Sequence, residues 1–472
     1  MAITAGNKQN DRNGAEPTTT NKFYLATWRW HFYAGVYVTP FMMVLALTGL
    51  AMLYAPQLER VQYSDRLFVT AEGDEAPAET QLAAVRAAYP EASVSRYIPP
   101  TTPERSAQFA VTTPDETELN VFVNPYTAEV LGEVNQARTV DNFANDVHGS
   151  LLLGERGDRL IEIAAGLAIM LVITGLYMWW PRDKAGRYRA LVPRLNFKNR
   201  RGWRDLHASL GFYLSLGLVF FLLSGMAWTG VWGGQIVQPW SSFPAEKFSD
   251  VPLSDQTHAS MNHGEVEDVA WGLEQTPLPA SGSLVGEAGL EGAPVTLDTV
   301  AAYARNIGFS TFRINLPRDA EGVYTVSADT MSGDISNPRQ DRTVHIDQYT
   351  GQKLADIGWR DYSLMAKGMA AGVALHQGDA GLVNLIANTL FCLAVLFISV
   401  SGVVMWWTRR PQKAARLAAP PMPKNMPLWK GAVLIMLFVS LAFPLVGVTL
   451  LTVLTLDLVL FSRIPALRRA FN

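Results

Sequence analysis

Five stretches of the chain are apolar over the length a membrane crossing needs, and polar stretches separate them. They run over about 32–54, 160–180, 207–232, 382–407 and 431–461. Each meets the roughly 20 residues that carry a helix through a hydrocarbon core of about 30 Å. The first has a long polar leader and no small-x-small site after it, so it reads as a retained helix, not a cleaved leader. The fifth would be about 46 Å long as a single helix and contains Pro444, which predicts a kink. Two hairpin arms would each be too short to cross. One tilted helix with an external C-terminus is therefore expected, against the basic tail Arg463, Arg468 and Arg469.

The polar stretches have patterns of their own. Apolar residues at helical spacing over 79–89 and 296–307 predict amphipathic helices. Alternation over 121–131 and 344–354, with turns at Asn124-Pro125 and Asp347-Gln348, predicts β-hairpins. Each long polar segment thus carries a small α+β module. The Pro-, Gly- and Ser-rich insertion 240–295 belongs to the second alone and reads as loop. The expected fold is an α-helical integral membrane bundle of about five spanning helices with two small α+β modules outside it.

Charge orients this arrangement. Loop 182–206 holds nine basic residues and loop 408–430 holds six with no acid, so both belong on the cytoplasmic side. Trp28, Trp30, Trp179, Trp180, Trp203, Trp406, Trp407 and Trp429 fall at the same ends, as an aromatic belt would. The chain is then ordered as tail 1–22, helix 23–54, external segment 55–147, helix 148–181, basic loop 182–206 and helix 207–232. External segment 233–375, helix 376–407, basic loop 408–430 and a last helix with its tail, 431–472, complete it. With 39 basic against 42 acidic residues there is no overall case for nucleic acid as a partner; the lipid bilayer is the one partner the composition names. The single cysteine, Cys392, excludes intramolecular disulfides, CxxCH haem attachment and Cys-ligated clusters.

The two halves repeat. His31 precedes Gly35 by four residues and Gly49 by eighteen; His207 precedes Gly211 and Gly225 by the same intervals. Thr48-Gly49 matches Ser224-Gly225. The segment from His148 to T-G-L-Y-M-W-W-P-R matches that from His376 to S-G-V-V-M-W-W-T-R, with one residue of difference after the histidine.

Four of the seven histidines sit at the ends of spanning blocks, one per face in each repeat. Topology puts His31 and His207 near the cytoplasmic face and His148 and His376 near the outer face. A pair within one repeat, such as His31 with His148, would have to reach across the bilayer. Ionisable groups at membrane depth are costly, and imidazole is a common haem-iron ligand. Two histidines at one depth supply both axial positions of a b-type haem, and two such sites make a path for electrons. Three other readings stand beside this one. Helix-end histidines also cap carbonyls or sit among headgroups, duplication copies residues without need, and a bare metal ion is possible but wants more ligands.

These motifs together resemble the PepSY-associated transmembrane family, often described as iron-regulated membrane proteins. The resemblance rests on W-R-W-H and W-R-x-x-H opening a helix, H-x-x-L-L-L-G before the next, T/S-G…M-W-W-x-R closing it, and external Y-T-[AG]-x-x-L modules, over about 23–410. It implies a bacterial inner (cytoplasmic) membrane protein with two PepSY-like modules in the periplasm, similar to haem-containing reductases of ferric siderophores. It implies two bis-histidine b-type haems, on His31 with His207 and on His148 with His376. The acceptor would be a ferric siderophore or another periplasmic ferric complex, docked between the modules. No G-x-G-x-x-G unit or P-loop is present, so the donor would be a cytoplasmic flavoprotein or quinol. The alternative is a PepSY membrane scaffold or peptidase-regulating protein without redox activity. A transporter is disfavoured because the repeats are parallel and no broken helices mark a midplane site. Asp457 and Glu162 are the acids inside apolar blocks, and no hydrolase motif appears.

The run T-H-A-S-M-N-H-G-E over 257–265 places His258, Met261 and His263 within six residues, a set suited to copper or iron or else an ordinary polar loop. His345 takes the place of Phe122 in the other repeat, and its strand position explains it structurally.

Overall fold

The computed structural model describes residues 19–181, 191, 192, 197–248, 250–263, 268–290, 292–410, 417–420, 429–456, 459, 463 and 464. Asp457, Glu265, Arg468, Arg469, and Arg182, Lys184, Arg187, Arg189, Arg194, Lys413, Arg416 and Lys424 of the basic loops lie outside them. In chain order the elements are α1 (Thr19–Gln62), α2 (Ala78–Ala88), β1 (Ser93–Ile98), β2 (Ala107–Thr112), β3 (Glu118–Val123), β4 (Val130–Asn135), α3 (Val140–Ser150), α4 (Glu155–Trp179) and α5 (Arg200–Met226). They continue as β5 (Leu253–Thr257), β6 (Pro277–Pro279), α6 (Leu297–Asn306), β7 (Arg313–Asn315), β8 (Val323–Ala328), β9 (Arg342–Asp347), β10 (Lys353–Gly358), α7 (Leu364–Gln377), α8 (Leu382–Arg409), α9 (Lys430–Ala442) and α10 (Pro444–Leu456). By internal contacts the chain forms two compact units, Met1–Thr39 with Gly166–Ser215 and Val400–Asn472, and Pro40–Ala165 with Leu216–Ser399.

Among the described residues, four helices are long and apolar enough to cross a membrane: α1, α4, α5 and α8. Helix α1 has 44 residues, or about 66 Å at 1.5 Å per residue, and so runs well past a core of about 30 Å. Helix α5 stops at Met226, six residues short of the expected end. Glycines at 230, 233 and 234 favour a break there, and two carboxylates of α4 cap the fresh start. Asp158 accepts from the Gly230 N–H at 3.1 Å, and Glu162 accepts from Val231 and Trp232, both at 3.2 Å. That gives Glu162 a place as a helix-capping acid.

In the first unit the fifth apolar block is not one tilted helix. It divides at Phe443 into α9 and α10, and a Cβ on Gly447 would lie 2.9 Å from Ser440 Cβ. In a continuous helix those residues stand about 10 Å apart, so the chain folds back on itself. Each arm has 13 residues, about 20 Å, too short to cross. The turn packs on α4, where a Cβ on Gly166 would meet Val446.

In the second unit the hairpins and amphipathic helices lie where the pattern predicts them, but the modules are not separate. Their strands make one antiparallel sheet in the order β10-β9-β8-β7-β1-β2-β3-β4. The seam is β1 against β7, with Arg96 opposite Asn315 and Tyr97 opposite Ile314. Helices α2 and α6 share one core on this sheet, in which Leu82, Val85, Val300 and Ala304 pack on Tyr97, Phe109, Val121, Ile314, Val326 and Ile346. Each caps the other: Asp298 accepts from the Ala78 N–H at 2.5 Å, and Glu79 accepts from the Leu297 N–H at 2.8 Å. The two modules are therefore one body joined along a hydrogen-bonded seam.

The insertion is also more than loop. Its β5 and β6 pair, and Phe243, Phe248, Leu273 and Leu278 bury against Val323, Leu354 and Ile357 of the sheet. Asp268 ties it to the seam by pairing with Arg96 and, at 3.0 Å, with Arg313.

Candidate functional site: two histidine pairs among the helices

His148 and His376 lie on short helices of matching construction. Thr139 caps α3 by accepting from the Asn142 N–H, and Ser363 caps α7 by accepting from Ala366, each at 3.1 Å. Both helices end in a left-handed residue, Leu151 (φ 53°) after α3 and Gly378 (φ 89°) after α7. His148 stands three residues before that cap and His376 two, the single-residue difference seen between the repeats. The structure brings the two rings together, centroids 6.5 Å apart and planes at 87°.

Each ring is held by a spanning helix of its own repeat. His148 Nδ1 lies 2.9 Å from Thr48 Oγ1 on α1, and His376 Nδ1 lies 2.7 Å from Ser224 Oγ on α5. The hydroxyls donate elsewhere: Thr48 to the Val44 carbonyl and Ser224 to the Phe220 carbonyl, both at 2.8 Å. A hydroxyl has one hydrogen to give, so where that hydrogen goes to the carbonyl the hydroxyl accepts from the ring and Nδ1 carries the ring hydrogen. Nε2 is left as the lone-pair nitrogen, the form in which imidazole binds a metal. The next residue in each helix is glycine. A Cβ at Gly49 would sit 3.7 Å from His148 Cε1, and one at Gly225 would sit 3.5 Å from His376 Cε1. A side chain larger than a methyl would displace the ring. Phe221 flanks His376 at 4.9 Å and stacks on Phe391 at 4.3 Å.

The first unit repeats the device. His31 Nδ1 lies 2.9 Å from Thr174 Oγ1, which donates to the Met170 carbonyl at 2.7 Å. His207 Nδ1 lies 2.8 Å from Ser401 Oγ. Gly175 and Gly402 follow, and a Cβ on them would stand 3.4 and 3.7 Å from the two Cε1 atoms. His31 and His207 are near enough to interact electrostatically. Neither opens its helix as expected: α1 begins twelve residues before His31, and α5 seven before His207, so both lie a turn or more inside.

The spacing would suit two imidazoles on one metal. Two imidazoles on one metal at about 2.0–2.1 Å per bond, each centroid about 1.1 Å behind its nitrogen, would stand about 6.2–6.4 Å apart. The His148–His376 separation of 6.5 Å fits that, as does the nitrogen that each tautomer leaves free. A metal held by protein alone fits less well, because among the described residues no three His, Cys, Asp or Glu gather closely enough to hold an ion.

The run around His258 does not converge on a metal site. His258 is fully buried; its Nδ1 donates to the Thr276 carbonyl at 2.7 Å and its Nε2 meets His345 Nε2 at 3.0 Å. His263 turns to Glu118 of the first repeat, with Nδ1 2.7 Å from the carboxylate. Met261 packs in the core beneath the insertion, and its carbonyl accepts from Arg96 at 2.6 Å. The expected copper or iron set of His258, Met261 and His263 is therefore directed to three different partners. Burial pushes the His258 imidazole down to about 4 and holds His345 well below its usual value.

Thr48, Thr174, Ser224 and Ser401 complete the candidate site, and sequence patterning assigns them no part in it. Their signal was present, since a Thr/Ser-Gly step recurs in all four spanning helices. Recurrence within a repeat did not say that the step faces a histidine. The family model described as the PepSY-associated TM region matches residues 28–409, which include all four histidines and all four steps. No curated protein matches the chain.

Proposed function

As this chain belongs to the PepSY-associated transmembrane family, we propose that it is a membrane-embedded electron carrier with two b-type haems. His31 and His207 would hold one and His148 and His376 the other. The observation that carries this reading is the fourfold hydroxyl–imidazole–glycine unit. It supports each ring from behind at Nδ1, fixes the tautomer wherever the hydroxyl hydrogen is accounted for, and clears space at Cε1. Hydrogen bonds of this kind orient metal-bound imidazole and raise its basicity. A scaffold or peptidase-regulating protein has no need of four such units. When bound, a bis-histidine haem supplies one-electron transfer and offers no open position to a substrate.

The basic loops favour the cytoplasmic side for the end of the bundle that holds His31 and His207. Electrons would enter there from a cytoplasmic flavoprotein or quinol and leave near His148 and His376. The acceptor would be a ferric siderophore or another ferric complex in the periplasm of a bacterium with this protein in its inner membrane. The test is haem content with a reduced-minus-oxidised spectrum of the purified full-length protein. About two haems per chain with a b-type signal is expected; a preparation from haem-replete cells with no b-type signal sinks the reading.

A further inference from the structure

A small cavity lies where the sheet region meets α7. It has about 10 Å³ of room, what one water needs. One wall is a single face of α7, Ala366, Ala370 and Val373, and His376 follows Val373 by three residues on the same helix. Trp271, Met331 and Val373 pack together to close one side. The polar groups in this lining are Thr330, Asp341 and Tyr362.

These groups are incompletely paired. Tyr362 is 6% exposed, and its hydroxyl has no hydrogen-bond partner among the described residues. Asp341 is 3% exposed and accepts from the Thr330 N–H at 3.1 Å. Thr330 Oγ1 donates to the Ala370 carbonyl at 3.2 Å and lies 3.5 Å from the other Asp341 oxygen. Among the described residues no cation answers the carboxylate. Arg313 is engaged by Asp334 and Asp268, and Lys367 of α7 donates to the Arg360 carbonyl. The charged neighbours that do act on the site are Asp329 and Asp361, both acidic. Burial first, then Asp329, pushes the Asp341 carboxyl up to about 8.

We propose that Asp341, with Tyr362 and a water in the cavity, is a proton-binding site that holds its proton more tightly when the His148–His376 site gains an electron. The proposal rests on the di-haem reading. One electron arrives from the flavoprotein or quinol; above about pH 8, where the oxidised site has lost its proton, one proton enters from solution on the sheet side and the net charge of the region is unchanged. When the electron passes on and the external ferric complex becomes ferrous, Asp341 returns that proton. The coupling is electrostatic and passes through α7: Ala370 is six residues, about 9 Å, from His376 along the helix. Buried charges are screened by salt much less than exposed ones.

The test uses the full-length protein in lipid nanodiscs and two readouts. Difference infrared spectroscopy follows the protonated-carboxyl band with pH, and potentiometry follows the haem midpoints. In the oxidised wild type the band should fade with a midpoint near pH 8 and be missing in Asp341→Asn. One haem midpoint should fall as pH rises through that range in the wild type and stay level in Asp341→Asn. Tyr362→Phe should keep the fall but move it to higher pH, because the cavity water that solvates the ionised carboxyl loses its hydroxyl partner. A band that does not titrate between about pH 6 and 10, or a pH slope that survives in Asp341→Asn, overturns the proton site. Protein that binds no haem overturns instead the reading beneath it, while the infrared titration still reports on Asp341.

Discussion

Two kinds of histidine pair occur in this molecule, and they differ in how their Nδ1 atoms are used. In the sheet region His258 Nδ1 faces a carbonyl, which only accepts, so that nitrogen carries the hydrogen. His258 Nε2 is then the acceptor, His345 Nε2–H donates to it across 3.0 Å, and His345 Nδ1 accepts from the Thr325 hydroxyl at 2.9 Å. Every polar atom is satisfied and the pair closes on itself. Among the helices, His148 and His376 both donate from Nδ1, so both keep a lone pair at Nε2. Two lone pairs repel, and those rings stand 6.5 Å apart. The partner behind the ring thus decides whether two histidines complete each other or each keep a lone pair free.

The largest expected effect breaks a helix pair outright. His376→Ala should lose about one of two haems and nearly all reduction of an external ferric complex. The remaining b-type signal should match that of His148→Ala, since both report the same surviving site. Next in size is removal of the support. Ser224→Ala or Thr48→Ala leaves the axial nitrogens in place but frees the tautomer, and outer-partner losses of this kind weaken metal binding by roughly 10–100-fold. Haem titration of the apoprotein reads this directly. Gly225→Val, which puts methyl groups where a Cβ already stands 3.5 Å from His376 Cε1, should weaken binding similarly, whereas Gly225→Ala should be tolerated. Unchanged affinity in both Ser224→Ala and Gly225→Val would remove the comparison's physical basis.

Sequence patterning carried the reading a good way because most of the relevant physics is local. Apolar runs gave the spanning helices, alternation gave the hairpins, and spacing gave the repeat with its four histidines. What failed was non-local. Nothing in 93–98 or 313–315 announces that these strands meet edge to edge, since the seam depends on the complementarity of two segments far apart in the chain. The insertion 240–295 has the composition of a loop, yet it buries Phe243, Phe248 and Leu273 because a sheet face was there to cover. The fifth apolar block had the length of a helix, and only the fold-back at Pro444 reveals two short arms. In the same way His258 was weighed with its chain neighbours Met261 and His263, although its partner, His345, lies 87 residues away.

The smaller predictions concern the closed pair. His345→Phe leaves His258 Nε2 and the Thr325 hydroxyl buried without partners, which should cost about 1–3 kcal/mol of stability and leave haem content unchanged. A fall in haem content would mean the two kinds of pair are not independent. The pH dependence has a definite sign. Burial depresses His258 to about 4 from its usual value of about 6.5, so the folded state binds fewer protons than the unfolded state in between. Stability from this group is full above about pH 6.5, declines as pH falls toward 4, and changes no further below that. His345, depressed by burial and then by His258, adds in the same direction. Thermal unfolding of the sheet region should therefore shift to lower temperature on acidification across that window. The double variant His258→Ala/His345→Ala, less stable at neutral pH, should have a shallower slope. A slope equal to the wild type's would place the titrating groups elsewhere, and the closed pair would then be neutral for a reason other than its burial.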